Sequence, residues 1–438
     1  MSSPPRKNLK RSRPSEAPTE LADEVEFAVA CTCKTNRPSI RRSALFYLLT
    51  VCGNHHHRSL LRNKGLTNLI LATITMIDFN DEPCNLAALA IFYFVTGNDN
   101  DNHPLERAEN LKYIVKILNS TSPNRSEAIN VSKEAVSTKI RELLVHKKKP
   151  NFLPREEICE KWMALLTIKD YCLPNISIKD LPYAFNGRNH FSEKLRDHGV
   201  IDGVFHVMRE CYSFLEEKDS ASAFKTMELL SLCLRIVENF AILSKRNQSH
   251  LLELKGEMNR GITSSLSELL VRIVNSVSRF CSIKESINNV EDPFAFDEDE
   301  PPPSKWKTLK KQKNRVQSKD SERISRGLNN QEGANETRSL AIDCLLSCVK
   351  VLMNLANESS IGSHEIASCG GLEVMSSLAE SQFPSSEAAL DQNLDLLVAI
   401  LGFLVNMVEK NEDNRSRLAG IRGNLIPSLC SIFVEAES

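Results

Sequence analysis

The residues best suited to metal chemistry in this sequence are a run of histidines and an Asp/Asn-rich stretch. The run His55–His57 is consecutive. Adjacent side chains diverge on a helix or turn, whereas a zinc site needs spaced ligands completed by others. The stretch Asn98–His103 starts like a calcium loop, but His103 stands where such a loop needs glycine, and Pro104 follows. We interpret both stretches as turns between helices and expect no bound metal.

Sequence motifs of catalysis are also missing. The sequence contains no P-loop, no GxGxxG fingerprint, no GxSxG elbow and no HExxH zinc motif. Its 13 cysteines form no CxxC pair, and several, such as Cys233, Cys344 and Cys348, lie among apolar residues, where a free thiol packs as a small hydrophobe. We expect a non-enzymatic protein without a cofactor, in a reducing compartment.

The apolar residues have the spacing of helices. The segment Leu394–Val408 carries them along one stripe with a 3.6-residue period. Its members are Leu394, Leu397, Val398, Leu401, Leu404, Val405 and Val408. Segments Leu229–Leu243 and Leu340–Leu355 share the pattern, and alternating strand-like runs are missing. The fold class we predict is all-α.

A weak internal repeat suggests how these helices are arranged. Asn239, Asn354 and Asn406 each lie late in an apolar helix pattern and precede an apolar residue. Twelve residues after each comes an aliphatic residue, beyond a polar stretch: Leu251, Ile366 and Leu418. A related unit without the Asn covers Ser43–Ile77. Stacked helical pairs of this kind are typical of HEAT and armadillo arrays, so we expect an irregular α-solenoid that binds other proteins.

Composition divides the 438 residues into four parts. We predict a disordered basic tail at 1–20, N-terminal helical repeats at 21–287 with a loop at about 119–133, and C-terminal repeats at 338–438. Between the repeats, residues 288–337 are first acidic, then basic. They hold too few apolar residues to offset the entropy of ordering, so we predict a disordered linker.

Two groups in these polar parts are candidates for binding. The tail carries a basic cluster typical of a nuclear-import patch, with a solvated tail as the alternative: Arg6, Lys7, Lys10, Arg11 and Arg13. In the linker, Phe294, Phe296 and Trp306 stand among charges. They either anchor a partner or fold back onto the repeats, since both use aromatic burial.

Many stretches, in order from about Asp23 to Val434, resemble the wings apart-like (WAPL) family, its plant branch in particular. The clearest are residues 24–28 (EVEFA), 40–45 (IRRSAL), 85–93 (NLAALAIFY), 161–166 (KWMALL), 193–196 (EKLR), 247–252 (NQSHLL), 292–299 (DPFAFDED), 304–306 (SKW), 349–355 (VKVLMNL), 369–372 (CGGL) and 414–418 (NRSRL). A long ordered series of matches is far more specific than any one short motif.

The resemblance implies a nuclear, non-enzymatic HEAT-repeat protein associated with chromatin through cohesin. Such proteins bind cohesin and its HEAT-repeat regulatory subunits and promote release of the ring from chromatin in mitotic and meiotic prophase. It implies no membrane and no sequence-specific nucleic-acid contact. A generic armadillo scaffold, a nuclear-import adaptor and a paralogue without release activity remain alternatives.

Polar residues of the matching motifs are the candidates for contact with a partner: Arg41, Arg42, Glu238, Asn239 and Lys255. For each of them a helix cap, an inter-repeat hydrogen bond or a solvated charge is an equal alternative. We interpret Asn239 as structural, because it recurs at Asn354 and Asn406.

Overall fold

In a computed structural model of the chain, two compact units meet in sequence at Asn175, Met1–Asn175 and Ile176–Ser438. The structure describes residues 17–76, 81–96, 104–120, 127–146, 158–172, 191–216, 220–242, 244–257, 263–281, 313–382, 387–409, 411–421 and 427. A few helix ends are described by their backbone alone.

The first unit is built from helices. They are α1 (Ala17–Cys31), α2 (Pro38–Gly53), α3 (His55–Asn63), α4 (Leu66–Ile74), α5 (Glu82–Thr96), a 3-10 turn (Pro104–Glu106), α6 (Ala108–Leu118), α7 (Glu127–His146) and α8 (Glu160–Cys172). Helices α2, α5 and α8 pack side by side in one layer. Helix α1 packs on α2 and α4, α4 packs on α5, and α6 packs on α8.

The second unit repeats this layering. Its elements are α9 (191–197), α10 (Val200–Glu216), α11 (Ser220–Ala241), α12 (Lys245–Glu253), β1 (Lys255–Glu257), β2 (Thr263–Ser265), α13 (Leu266–Cys281), α14 (Lys313–Ala356), α15 (Ser360–Ser368), α16 (Gly371–Gln382), α17 (Glu387–Val408) and α18 (Glu412–Gly420). Helices α11, α14 and α17 form one layer, and α10, α13 and α16 form the other. The all-α fold of stacked repeats is confirmed in each unit.

Four short helices of nine residues each, α3, α12, α15 and α18, follow the long helices of these layers. Each begins after a cap residue whose side-chain oxygen accepts a backbone N–H of the first turn. The caps are Asn54, Ser244, Ser359 and Asn411. Such caps satisfy donors that the helix leaves unpaired.

A second hydrogen bond repeats with the cap. The residue four positions after each cap donates from its side chain to a carbonyl near the end of the preceding helix. The pairs are Arg58 to Cys52 (2.9 Å), Gln248 to Ala241 (2.9 Å), Ser363 to Ala356 (3.3 Å) and Arg415 to Val408 (3.0 Å). Asn239, Asn354 and Asn406 each lie five residues before a cap. The repeat that the Asn spacing predicts is therefore confirmed. A fourth copy, the first along the chain, is capped by Asn54.

The core of the second unit lies around α14. Leu345, Val349 and Leu352 are fully buried in this helix, which packs against α11, α13 and α17. Among the described residues, Asn335–Ala356 has the length and apolar composition of a membrane-spanning helix. More than half of its most apolar window is buried inside the unit, as is typical of a core helix.

Several boundaries differ from those that composition suggests. Helix α7 begins at Glu127, inside the stretch 119–133 assigned to a loop, and α14 begins at Lys313, inside the linker assigned to 288–337. Helix α1 begins at Ala17, inside the predicted tail. Polar residues continue a helix whose apolar stripe lies further along, so composition misplaces its end. A short antiparallel pair, Lys255–Glu257 with Thr263–Ser265, is the only strand pairing in the described residues.

Candidate protein-interaction surface

Helices α11, α14 and α17 are in register, because Asn239, Asn354 and Asn406 hold the same position before their caps. The Asn406 side chain donates from Nδ2 to the Met353 carbonyl at 3.2 Å and ties α17 to α14. Asn239 donates to the Arg235 carbonyl of its own helix at 2.6 Å. All three side chains are half-buried. Residues at equal distances from these Asn positions therefore lie at equivalent points of the three helices.

Charged rows cross this layer. Eleven residues before each Asn lies an acid: Glu228, Asp343 and Asp395. Four residues before the first two Asn positions lie Arg235 and Lys350, while Gly402 holds that place in α17. We call the three acids the acidic row. Along each helix, the acid lies about two turns before the position of the basic pair.

Ion pairs join α11 to α14 on this face. Arg235 lies 3.8 Å from Asp343, and Lys350 lies 3.8 Å from Glu238. Glu238 also accepts a hydrogen bond of 3.0 Å from the Ser347 hydroxyl. Because these charges are partly exposed, each pair adds at most about 1 kcal/mol. Glu238, predicted to contact a partner, therefore also joins two helices.

An apolar patch continues the face on α14 and α17. Its six members are Ile342, Leu346, Met353, Leu394, Val398 and Val405. The first three are half-buried, whereas Leu394, Val398 and Val405 are 45%, 59% and 60% exposed. Apolar side chains exposed together on neighbouring helices are typical of protein-binding sites. We call these six residues the apolar patch.

Gly402 shapes the middle of the apolar patch. It lies between Val398 and Val405 and carries no side chain, and a Cβ there would lie 3.3 Å from the Met353 sulfur. The Met353 side chain of α14 therefore packs against the Gly402 backbone of α17, in the space that a side chain at 402 would take. Flexible Met side chains adapt readily to different apolar partners.

In the first unit the corresponding layer, formed by α2, α5 and α8, is covered by another helix of the same unit. Helix α7 packs on α5 and α2, and all 15 residues of α5 are buried. The inward face of α7 carries Lys133, Val136, Ile140 and Leu144, all buried. Lys133 forms a buried ion pair with Glu82, the first residue of α5.

Buried hydroxyls also hold the first unit together. The Tyr93 hydroxyl of α5 donates to Asp170 of α8 at 2.8 Å. Burial, followed by the Asp170 charge, raises the pKa of Tyr93. Burial likewise raises the pKa of Tyr113 in α6, with a smaller effect of Glu160. Both phenols therefore stay neutral, and their chemistry is structural.

Side chains that could ligate a metal ion are not clustered in the described residues. No group of three or more His, Cys, Asp or Glu side chains comes together among them in a way that could hold a metal ion. The surface consists of charged rows and an apolar patch, which can bind a protein segment by burial and by ion pairing.

The other predicted contact residues belong to different parts of the chain. In the first unit, the Arg42 Nε donates to both oxygens of Asp81 at 3.2 Å, and the buried Arg41 Nε has no hydrogen-bond partner in the described structure. In the second unit, Lys255 lies exposed on β1, next to Gly256, which packs against the Arg209 guanidinium. The aromatic residues Phe294, Phe296 and Trp306 and the basic cluster Arg6, Lys7, Lys10, Arg11 and Arg13 lie outside the described residues. The contact role of all these residues stays a prediction.

Sequence reasoning missed the apolar patch, although its signal was visible. In helix α17, twelve of the fifteen residues from Leu394 to Val408 are apolar, more than one buried face requires. Leu397 and Leu404 are nearly buried, whereas Leu394, Val398 and Val405 point to solvent. Counting how far apolar residues extend around the helix would have suggested a second apolar face.

Comparison with known families gives a match over most of the chain. Residues 17–414 match the family described as "Wings apart-like protein regulation of heterochromatin". The match spans both compact units.

Individual relatives support the same assignment. "Wings apart-like protein 2" of Arabidopsis thaliana is 26% identical, over 95% of this chain and 77% of the relative. The human "Wings apart-like protein homolog" is 23% identical, over 94% of this chain and 31% of the relative. The Arabidopsis alignment extends over 646 positions, more than this chain's 438 residues, so that relative has inserted segments without a counterpart here.

Among solved structures, an engineered protein covers 87% of this chain and 97% of its own at 13% identity, with a TM-score of 0.38. The all-α fold is established by the helix packing of this chain itself.

Proposed function

The chain belongs to the wings apart-like family, and from that premise we propose that it binds cohesin and its HEAT-repeat regulatory subunits and promotes release of cohesin from chromatin. The observation that carries the proposal is the family match over residues 17–414. We propose that the protein acts by binding and not by catalysis, in mitotic and meiotic prophase.

The geometry favours such a role. Stacked helices present a long surface, and the layer of α11, α14 and α17 keeps both charges and apolar side chains accessible. A binding protein can open a ring only by binding its open state more tightly than its closed state. A surface with several separate contact rows can provide such a difference in affinity.

We also propose that the protein acts in the nucleus, associated with chromatin through cohesin. The basic cluster at the start of the chain supports import: Arg6, Lys7, Lys10, Arg11 and Arg13. Replacing all five with Gln in a fluorescent fusion is expected to shift the protein to the cytoplasm. An unchanged nuclear signal would exclude the cluster as the import patch.

Two assays test the proposal together. The purified chain is first mixed with cohesin subcomplexes and, separately, with the regulatory subunits, and binding is measured by interferometry. It is then added to chromatin loaded with cohesin, and the released ring is quantified. Failure to bind any subunit would contradict the proposal, whereas binding without release would point to a paralogue that has lost release activity.

The linker aromatics give a sharper version of the binding assay. Replacing Phe294, Phe296 and Trp306 with Ala is expected to weaken binding to cohesin without lowering the melting temperature, because docking anchors contribute to binding alone. A large loss of stability would show that the aromatics pack on the chain's own helices.

A further inference from the structure

We propose that the apolar patch and the acidic row together bind one amphipathic helix of a partner protein, with a basic residue ahead of its apolar stripe. The inference deepens the proposed function, because it rests on the chain acting through bound proteins and adds the kind of segment it binds.

The first unit shows how a helix packs on this type of layer. Helix α7 lies on α5 and α2 and buries a stripe of four side chains, Lys133, Val136, Ile140 and Leu144. The spacing from the basic residue is three, seven and eleven, which keeps all four on one face of a helix. Lys133 pairs with Glu82 at the beginning of α5, and the aliphatic residues follow along the layer.

The second unit offers the same chemistry without such a helix among its described residues. The exposed Asp395 provides the acid, as Glu82 does in the first unit, and the half-exposed Asp343 adds to it beside Arg235. The apolar patch then follows in the same chain direction, from Leu346 to Met353 on α14 and from Val398 to Val405 on α17. The charge and the apolar positions therefore complement a helix with the pattern of α7.

The lengths also agree. The patch extends over the twelve residues from Leu394 to Val405, roughly 16 Å of helix. The inward stripe of α7 covers the twelve residues from Lys133 to Leu144. Gly402 lies within this length, with the half-buried, flexible Met353 side chain packed against it. A helix of three to four turns would cover the whole patch.

The probe is a fluorescent peptide with the sequence of residues 127–146. Because an isolated helix of this length is marginal in water, a hydrocarbon staple joins positions 134 and 138, which are exposed on α7. Binding to the full chain is followed by fluorescence anisotropy. We expect saturable binding that weakens at least about tenfold when the peptide carries Ile140→Asp, since a charge then meets the apolar surface.

Variants of the chain locate the binding site. The double variant Val398→Asp/Val405→Asp is expected to weaken peptide binding by at least about tenfold. The matched control is Ile361→Asp, because Ile361 is an aliphatic residue 73% exposed on α15, outside the patch. It should leave the affinity within about twofold of the unaltered chain.

Three outcomes would overturn the inference. The first is no binding of the stapled peptide, and the second is binding that both chain variants retain equally, which would place the peptide elsewhere, such as in the position of α7. The third is an increase in affinity on replacing Phe294, Phe296 and Trp306 with Ala, which would show that the chain's own linker occupies the patch. Since the assay contains no cohesin, its failure is distinguishable from failure of the proposed function.

Discussion

Helix α5 in the first unit and helices α14 and α17 in the second belong to similar layers, but only α5 is fully covered. The covering is supplied by α7, a helix of 20 residues between α6 and α8. In the second unit, Val398 and Val405 stay about 60% exposed. One added helix therefore decides whether a repeat layer is covered or exposed to solvent, and the packing within the layer stays the same.

The largest expected effect is on the contact between α7 and α5. Replacing Ile140 with Asp places a charge at a fully buried position and should lower the free energy of unfolding of the first unit by at least about 3 kcal/mol. Urea denaturation followed by circular dichroism measures it.

Two matched controls test that comparison. Val145 lies on the solvent side of the same helix and is 52% exposed. Val145→Asp and, on α17, Val398→Asp should each change the free energy of unfolding by about 0.5 kcal/mol or less. Equal losses from Ile140→Asp and Val398→Asp would show that the two layers are covered alike.

The ion pair between Lys133 of α7 and Glu82 of α5 should have the next largest effect on stability. Lys133→Met leaves Glu82 buried without its ammonium partner, which should cost about 3 kcal/mol. Adding Glu82→Gln removes the unpaired charge and should recover part of that loss. The two variants are compared by thermal and urea unfolding. A double variant no more stable than Lys133→Met would show that the charge pairing is unimportant.

Two glycines of the second unit should differ in their tolerance of a methyl group. At Gly362 a Cβ would overlap the carbonyl oxygen of Leu355, so Gly362→Ala should cost about 1–3 kcal/mol. At Gly402 the neighbour is the flexible Met353 side chain, and Ala there should be neutral or stabilise the helix by up to about 1 kcal/mol. Melting temperatures compare the two variants. Equal losses would show that the Met353 side chain cannot move aside for a methyl group at position 402.

The smallest expected effect is a difference in thiol reactivity. It tests whether the helices beneath the apolar patch are tightly packed. Burial raises the pKa of Cys344 and of Cys348 in α14, whereas a hydrogen bond from the Thr35 hydroxyl lowers the pKa of the exposed Cys33. Because the thiolate is the reactive form, Cys33 should be alkylated first and at a lower pH than a free cysteine. The α14 thiols should react last.

Mass spectrometry after brief treatment with iodoacetamide gives the order of alkylation, with Cys33→Ser as the control. Early modification of Cys348 would show that the second unit is loosely packed under the patch. The exposed valines would then reflect poor packing and not a binding surface.

The sequence predicts the repeats well, because their local chemistry is strong. The positions of Asn239, Asn354 and Asn406 led to hairpins that the structure confirms, with caps five residues later. The caps themselves are Ser or Asn before polar turns, a signal visible in any one repeat. The family resemblance, confirmed by the match over residues 17–414, came from many short stretches in the correct order.

The sequence does not predict which helix layer is covered and which is exposed. Nothing local distinguishes the stripe of α7, which packs inward on α5, from Leu394, Val398 and Val405 of α17, which remain exposed. Both satisfy the helical period, and tertiary packing decides which stripe is covered. Likewise, the sequence leaves open whether Arg42 contacts a partner or bonds to another repeat, because Asp81, its ion-pair partner, lies 39 positions away.

The most direct measurement of the central claim is the affinity of the full chain for purified cohesin, compared between the patch variant and its control. The account predicts that Val398→Asp/Val405→Asp weakens binding by at least about tenfold, while Ile361→Asp binds like the unaltered chain. Equal binding by all three proteins would contradict the claim that the apolar patch is where the partner docks.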